Sequence, residues 1–131
     1  MVEPIVFISV SRIVEPNKER FARALAVGAD GIAASKPRTA LFGAYVDDSE
    51  RELRIVHAFP DASAMTMHFA GAQDRTRAAA SFLAPMRFEV YGEAPSAALA
   101  LLADEAAGAG GTVTTWRAVA GFLRPPPVTD D

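Results

Sequence analysis

The 131-residue chain has no cysteine. Without thiols there is no disulfide framework, no thiolate nucleophile and no cysteine-ligated zinc or iron–sulfur centre. Positive charge is also short: 13 Lys and Arg stand against 16 Asp and Glu, for a net charge of −3. No basic stripe is present to neutralise phosphates, which sets nucleic acid aside as a partner. No apolar run approaches the ~20 residues a helix needs to cross a bilayer. The opening MVEPIVFISV lacks the basic leader and small-residue cleavage site of a secretory signal. The default expectation is therefore a cytoplasmic protein. Familiar catalytic signatures are missing too. No serine sits in a Gly-x-Ser-x-Gly elbow, and neither GADG nor GAGG has the spacing or the lysine of a phosphate loop. The only histidines are His57 and His68. They fall short of a zinc site unless a carboxylate such as Asp61 joins them, and the spacing does not demand one, so no metal is expected.

What is present reads as a globular domain: half the residues are hydrophobic and 22% are charged. Residues 5–14 are rich in β-branched side chains and read as a strand. Val6, Ile8 and Val10 alternate onto one face, and Phe7, Ser9 and Ser11 onto the other. Pro16 and Asn17 punctuate, and a helix follows with Glu19 in its first turn. Phe21, Ala24, Leu25, Gly28 and Ile32 recur at helical spacing as its buried stripe. That leaves Lys18, Arg20 and Arg23 on a solvated face. Residues 39–47 and 52–59 read as a hairpin around a DDSE tip, with Leu53, Ile55 and His57 sharing one face. Pro60 stops the strand and Asp61 is a good N-cap. Met65, His68, Phe69 and Ala72 mark one face of the next helix. Gly71 loosens its middle, Asp74 caps a continuation through Leu83, and Pro85 ends it. Residues 86–92 alternate as a fourth strand, with Met86, Phe88 and Val90 opposite Arg87, Glu89 and Tyr91.

The order β-α-β-β-α-β is the ferredoxin-like split βαβ arrangement of the α+β class, an antiparallel sheet with two helices on one face. Residues 1–92 make this domain. Residues 93–124 add a helix with Ala98, Leu99, Leu102 and Ala106 as its apolar stripe, and an extended segment at 112–115 or 118–122, packed on the same domain. Residues 125–131 read as a tail. A sheet covered by helices on one side leaves its other face bare. Here the first strand is apolar on both sides, so a homodimer through that face is expected.

The stretch HAFPDASAMTMHFAG, a strand, a Pro-Asp corner and a helix with His68 late in it, resembles the dimeric α/β-barrel superfamily. Within that superfamily it resembles the antibiotic-biosynthesis-monooxygenase (ABM) type of domain. The earlier elements fit in order and spacing, so the resemblance covers roughly residues 5–91. It implies a dimer with a barrel between subunits, and a pocket between each sheet and its helices. It also implies oxygenation of an aromatic, phenolic or quinol substrate without metal or organic cofactor. Other relatives bind or degrade haem, and among those His68 would be the axial ligand. The chain departs from the family at His57, where an acidic residue is common, and at Phe59, where Trp or Tyr is common. Haem-degrading relatives usually carry an Asn on the first strand, where this chain has Ser9 and Ser11.

His68 is the leading catalytic candidate, as base or anion-stabilising donor, with Tyr45 as an orienting hydroxyl. Ser9, His57, Phe59 and Met65 form the expected substrate-binding set. Each has a plainer reading. His68 can simply fasten its helix to the sheet through a hydrogen bond, as buried polar groups usually do. His57 is favoured as an interface or solvent-facing histidine, since strand faces in this fold also build interfaces. Trp116 is read as covering apolar surface. The competing function is non-enzymatic: a structural dimer, or one that binds an apolar or aromatic small molecule. What separates the readings is whether a pocket converges on His68 together with other polar groups.

Overall fold

The computed structural model describes residues 3–124. The elements run β1 (Ile5–Ile13), α1 (Lys18–Ser35), β2 (Leu41–Val46), β3 (Glu52–Phe59), α2 (Ala62–Phe69), α3 (Ala72–Ala79), β4 (Leu83–Tyr91), α4 (Ser96–Ala109) and β5 (Thr112–Trp116). They build one five-stranded sheet of order β2-β3-β1-β4-β5. The first four strands pair antiparallel, the ferredoxin-like core, and β5 joins β4 in parallel. A parallel neighbour requires a crossover, and α4 supplies it. The expected tail at 125–131 lies outside the described residues.

Local chemistry sets the element ends. The Asn17 side chain accepts from the Arg20 N–H to start α1, and Asp61 accepts from the Ala64 N–H to start α2. At the hairpin tip the Asp47 carboxylate accepts from the N–H groups of Arg51 and Glu52 and from the Ser49 hydroxyl, and these bonds hold its pKa down at about 2. The second helix is cut in two rather than loosened. Gly71 takes φ +78, a conformation that favours glycine, and stands at the N-cap of α3. Asp74 is therefore a first-turn residue, not a cap.

The end of that helix and the start of β4 differ from the sequence expectation. α3 stops at Ala79, and β4 begins at Leu83 with Pro85 inside it. Proline fits because the ladder is broken there: Val10 pairs with Arg87 but Ser11 with Pro85, leaving Met86 as the extra residue of a bulge. The bulge also takes Met86 off the face it would share with Phe88 and Val90. It is 43% exposed, whereas those two are buried. Gly111 meets the bulge closely, since a Cβ there would stand 2.6 Å from the Met86 carbonyl oxygen. β2 starts at Leu41, later than residue 39, because the Thr39 N–H turns back to the Lys36 carbonyl. Of the two possible C-terminal strand positions, only 112–116 is a strand.

The core lies between sheet and helices. Ile5, Phe7, Phe59, Phe88 and Val90 of the sheet pack with Ala64 and Met65 of α2 and with Ala98, Leu102 and Ala106 of α4. α1 joins this core little: of its stripe only Phe21 and Ile32 are buried. The helix stands off the sheet and leaves a cleft beneath it.

Candidate active site

The cleft has a volume of about 680 Å³. Its floor is the inner face of β1 and β3, Phe7, Ser9 and Ser11 with Ile55 and His57. α1 makes one wall, and His68, Phe69, Ala72 and Arg75 from α2 and α3 make the other. The lining is mostly hydrocarbon and aromatic, as small-molecule sites usually are. The two histidines meet here because β3 alternates and α2 has helical period. His57 follows Leu53 and Ile55 onto the inner face, and His68 stands one turn beyond Ala64 and Met65. Their ring centroids lie 5.0 Å apart, edge to face.

Sequence reasoning favours an interface or solvent position for His57, and the structure overturns that. His57 is only 5% exposed and its ring stacks on Phe7 at 4.7 Å. The period-two pattern puts it on a face without saying which face the helices cover. Its Nδ1 lies 3.1 Å from the Phe7 carbonyl oxygen. A carbonyl can only accept, so Nδ1 carries the proton and Nε2 presents a lone pair. His68 is 4% exposed, and its Nδ1 is 2.8 Å from the Thr39 hydroxyl. A hydroxyl both donates and accepts, so His68 can present either an N–H or a lone pair at Nε2. Neither Nε2 has a partner among the described residues, yet no fully buried polar side-chain atom there lacks one. Each Nε2 therefore keeps access to the cleft.

Both imidazoles are held neutral. Burial lowers the His57 pKa to about 4, with Arg75 adding to the effect against the pull of the Phe7 carbonyl. Burial lowers His68 to about 3, helped by His57, Arg75 and Lys36. The same two cations hold α2 in place. Lys36 Nζ donates to the carbonyls of Met67 and Ala70 at 2.9 and 2.8 Å. Arg75 donates to those of His68 and Ala70. They cap the negative end of the helix dipole just where the chain breaks at Gly71.

The other predicted residues divide. Ser9 lines the cleft. Phe59 and Met65 are wholly buried in the core beneath it; Phe59 backs His68 with ring centroids 5.1 Å apart. Tyr45 is not brought to the site. It pairs with Arg54 on the opposite face of the sheet and is 57% exposed. Trp116 is 56% exposed and stacks on Tyr91, away from the cleft. Sequence reasoning missed Thr39, Lys36 and Arg75. Arg75 lies seven residues after His68, but the break at Gly71 hid that spacing.

The His68 ring is flanked by His57, Phe59 and Phe69 at centroid distances of 5.0, 5.1 and 5.7 Å. Among the described residues no group of three or more metal-ligating side chains exists.

No protein-family model and no curated protein matches the chain. Solved structures do. MupZ from Pseudomonas fluorescens is 19% identical with a TM-score of 0.69, over 98% of this chain and 95% of that one. SnoaB from Streptomyces nogalater, a cofactor-independent oxygenase solved as a mutant, is 12% identical with a TM-score of 0.57, over 69% and 92%. A Chloroflexus aurantiacus protein, named as a candidate antibiotic biosynthesis monooxygenase, is 13% identical with a TM-score of 0.53, over 71% and 93%. The chain thus shares its ferredoxin-like α+β fold with these solved structures. The likeness to SnoaB covers about two thirds of the chain, and the likeness to MupZ extends over almost all of it.

Proposed function

We propose that the cleft binds an aromatic phenol or quinol and oxygenates it with O2, without metal or organic cofactor. The observation that supports this best is the pair of neutral imidazoles in an otherwise apolar cleft, with the His57 Nε2 lone pair fixed by the Phe7 carbonyl. The substrate hydroxyl gives its proton to an imidazole as it becomes a phenolate. The phenolate passes one electron to O2, and the resulting radical and superoxide combine into a C–O bond. Loss of water from the peroxide leaves a quinone, so that a phenol and O2 yield a quinone and H2O.

The pKa values narrow the substrate. An ordinary phenol near 10 lies about six units above His57, a gap of roughly 8 kcal/mol. The attraction between imidazolium and phenolate at 4 Å recovers about 4 kcal/mol at an effective dielectric of 20. A simple phenol therefore ionises against a residual gap of about 4 kcal/mol, and an acidified one, with a carbonyl conjugated to the hydroxyl, is favoured over it. Steady-state O2 consumption on a panel of hydroxyquinones and simple phenols tests this. Turnover is expected to be faster for the acidic members and to fall at least ~100-fold in His57→Ala or His68→Ala. Equal turnover by wild type and both variants, or by simple phenols, refutes the reading.

The bare sheet face supports a second copy as partner. Its rows read Tyr45–Arg54–Val10–Arg87–Thr112, Gly43–Val56–Ile8–Glu89–Thr114 and Leu41–Ala58–Val6–Tyr91–Trp116. Leu41, Tyr45 and Trp116 are exposed. Sedimentation equilibrium at micromolar protein is expected to show a dimer that Ile8→Lys dissociates; a monomeric wild type refutes it.

A further inference from the structure

The cleft has two ends of different chemistry. At one end stand Phe7, His57 and His68. At the other stand Ser11 of β1 and Arg20 and Arg23 of α1. The chain leaves β1 at Ile13 and enters α1 at Lys18, which puts the first turns of α1 beside the Ser11 end. Four residues of strand separate Phe7 from Ser11, about 13 Å. By helical spacing Arg20 and Arg23 neighbour each other on α1.

The sequence pattern assigns these arginines to a solvated face, yet both line the cleft. Lys18, Arg38, Arg54, Arg77 and Arg87 each pair with a carboxylate, whereas Arg20 and Arg23 pair with none among the described residues. The other charged groups lining the cleft are Arg75, which is committed to the α2 carbonyls, and Glu105, which accepts from Thr76. The lining carries three cations and one carboxylate in a chain whose net charge is −3. Such a local reversal of sign concentrates anions at a cleft mouth.

We infer that the ligand is an elongated amphipathic acid: an aromatic hydroxyl at the histidine end, an apolar body along β1, and a carboxylate held by Arg20 and Arg23. This rests on the cleft being the aromatic site proposed above and adds the anion and the orientation. Guanidinium groups suit a carboxylate through paired N–H donors, and such charge-assisted bonds are the stronger kind.

The test is isothermal titration of 4′-hydroxybiphenyl-4-carboxylate and its uncharged carboxamide against the full chain. The carboxylate is expected to bind wild type about tenfold tighter than the carboxamide, the change that one charge-assisted hydrogen bond supplies. The preference is expected to shrink to about threefold in ~0.5 M salt. It is expected to vanish in Arg20→Gln/Arg23→Gln and to persist in Arg77→Gln, whose side chain pairs with Asp74. His68→Ala is expected to weaken both compounds and leave their ratio unchanged. Equal binding of the two compounds to wild type, or a preference that survives the double substitution, overturns the inference and leaves the aromatic-site reading standing. Failure of both compounds to bind overturns both.

Discussion

The two sides of the sheet treat polar residues in opposite ways. On the inner side His57 of β3 and His68 of α2 meet between sheet and helices, are desolvated, and are held neutral. On the outer face Arg87, Glu89 and Tyr91 form a chain, with Arg87 Nε 3.0 Å and Tyr91 Oη 2.8 Å from the Glu89 carboxylate. There the Arg87 guanidinium lowers the Glu89 pKa, and that carboxylate in turn raises Tyr91. The inner face uses burial to suppress charge, and the outer face uses pairing to keep it. Neutral, desolvated groups therefore stand inside and paired charges outside.

Acid should break the inner face first. Both histidines have folded pKa values below the ordinary 6.5, so below that pH the unfolded chain binds protons that the native protein does not. Their stabilisation is complete above pH 6.5 and is lost as pH falls towards about 4. Two such groups give a steepest slope of about 2.7 kcal/mol per pH unit. Urea unfolding between about pH 7 and 4.5 should show this slope, and His57→Phe should roughly halve it. An unfolding free energy that is flat over that range would refute the neutral pair.

Next in size is the support behind the histidines. Phe59 is fully buried against His68, and Phe59→Ala should cost about 3–5 kcal/mol by urea titration. A loss under about 1 kcal/mol would mean that the backing is loose. Thr39→Val removes the hydroxyl partner of His68 and should cost about 1 kcal/mol. It should also lower kcat more than it raises KM, because it frees the imidazole to turn; equal changes in both would assign Thr39 a merely structural role. The smallest effect is expected from Tyr45→Phe on the outer face: stability within about 0.5 kcal/mol and unchanged turnover. A large loss of turnover would bring Tyr45 into the site after all.

Much of this was legible in the sequence. The strands and α1 followed from periodicity, because amphipathic elements must bury one side. Asp61 and Asn17 mark helix starts through capping chemistry that needs no partner in space. The spacing of Met65, His68 and Phe69 already turned His68 inward. Two features were not legible for a physical reason. Pro85 reads as a stop, yet a bulge set by the β1 register seats it within β4. Gly71 reads as a weak point, yet it is a full break whose geometry places Arg75 on the His68 carbonyl.

The sequence by itself determined the element order, the absence of thiol chemistry and the inward side of the second helix, since these depend on local periodicity and residue type. Tertiary structure decided the rest. It chose the face of β3 that the helices cover, carried Tyr45 away from the site, and brought His57 within 5.0 Å of His68. It also stood α1 off the sheet, so that two arginines of an apparently solvated face line the cleft. Those outcomes depend on which surfaces meet, and alternation along one strand does not specify its partner.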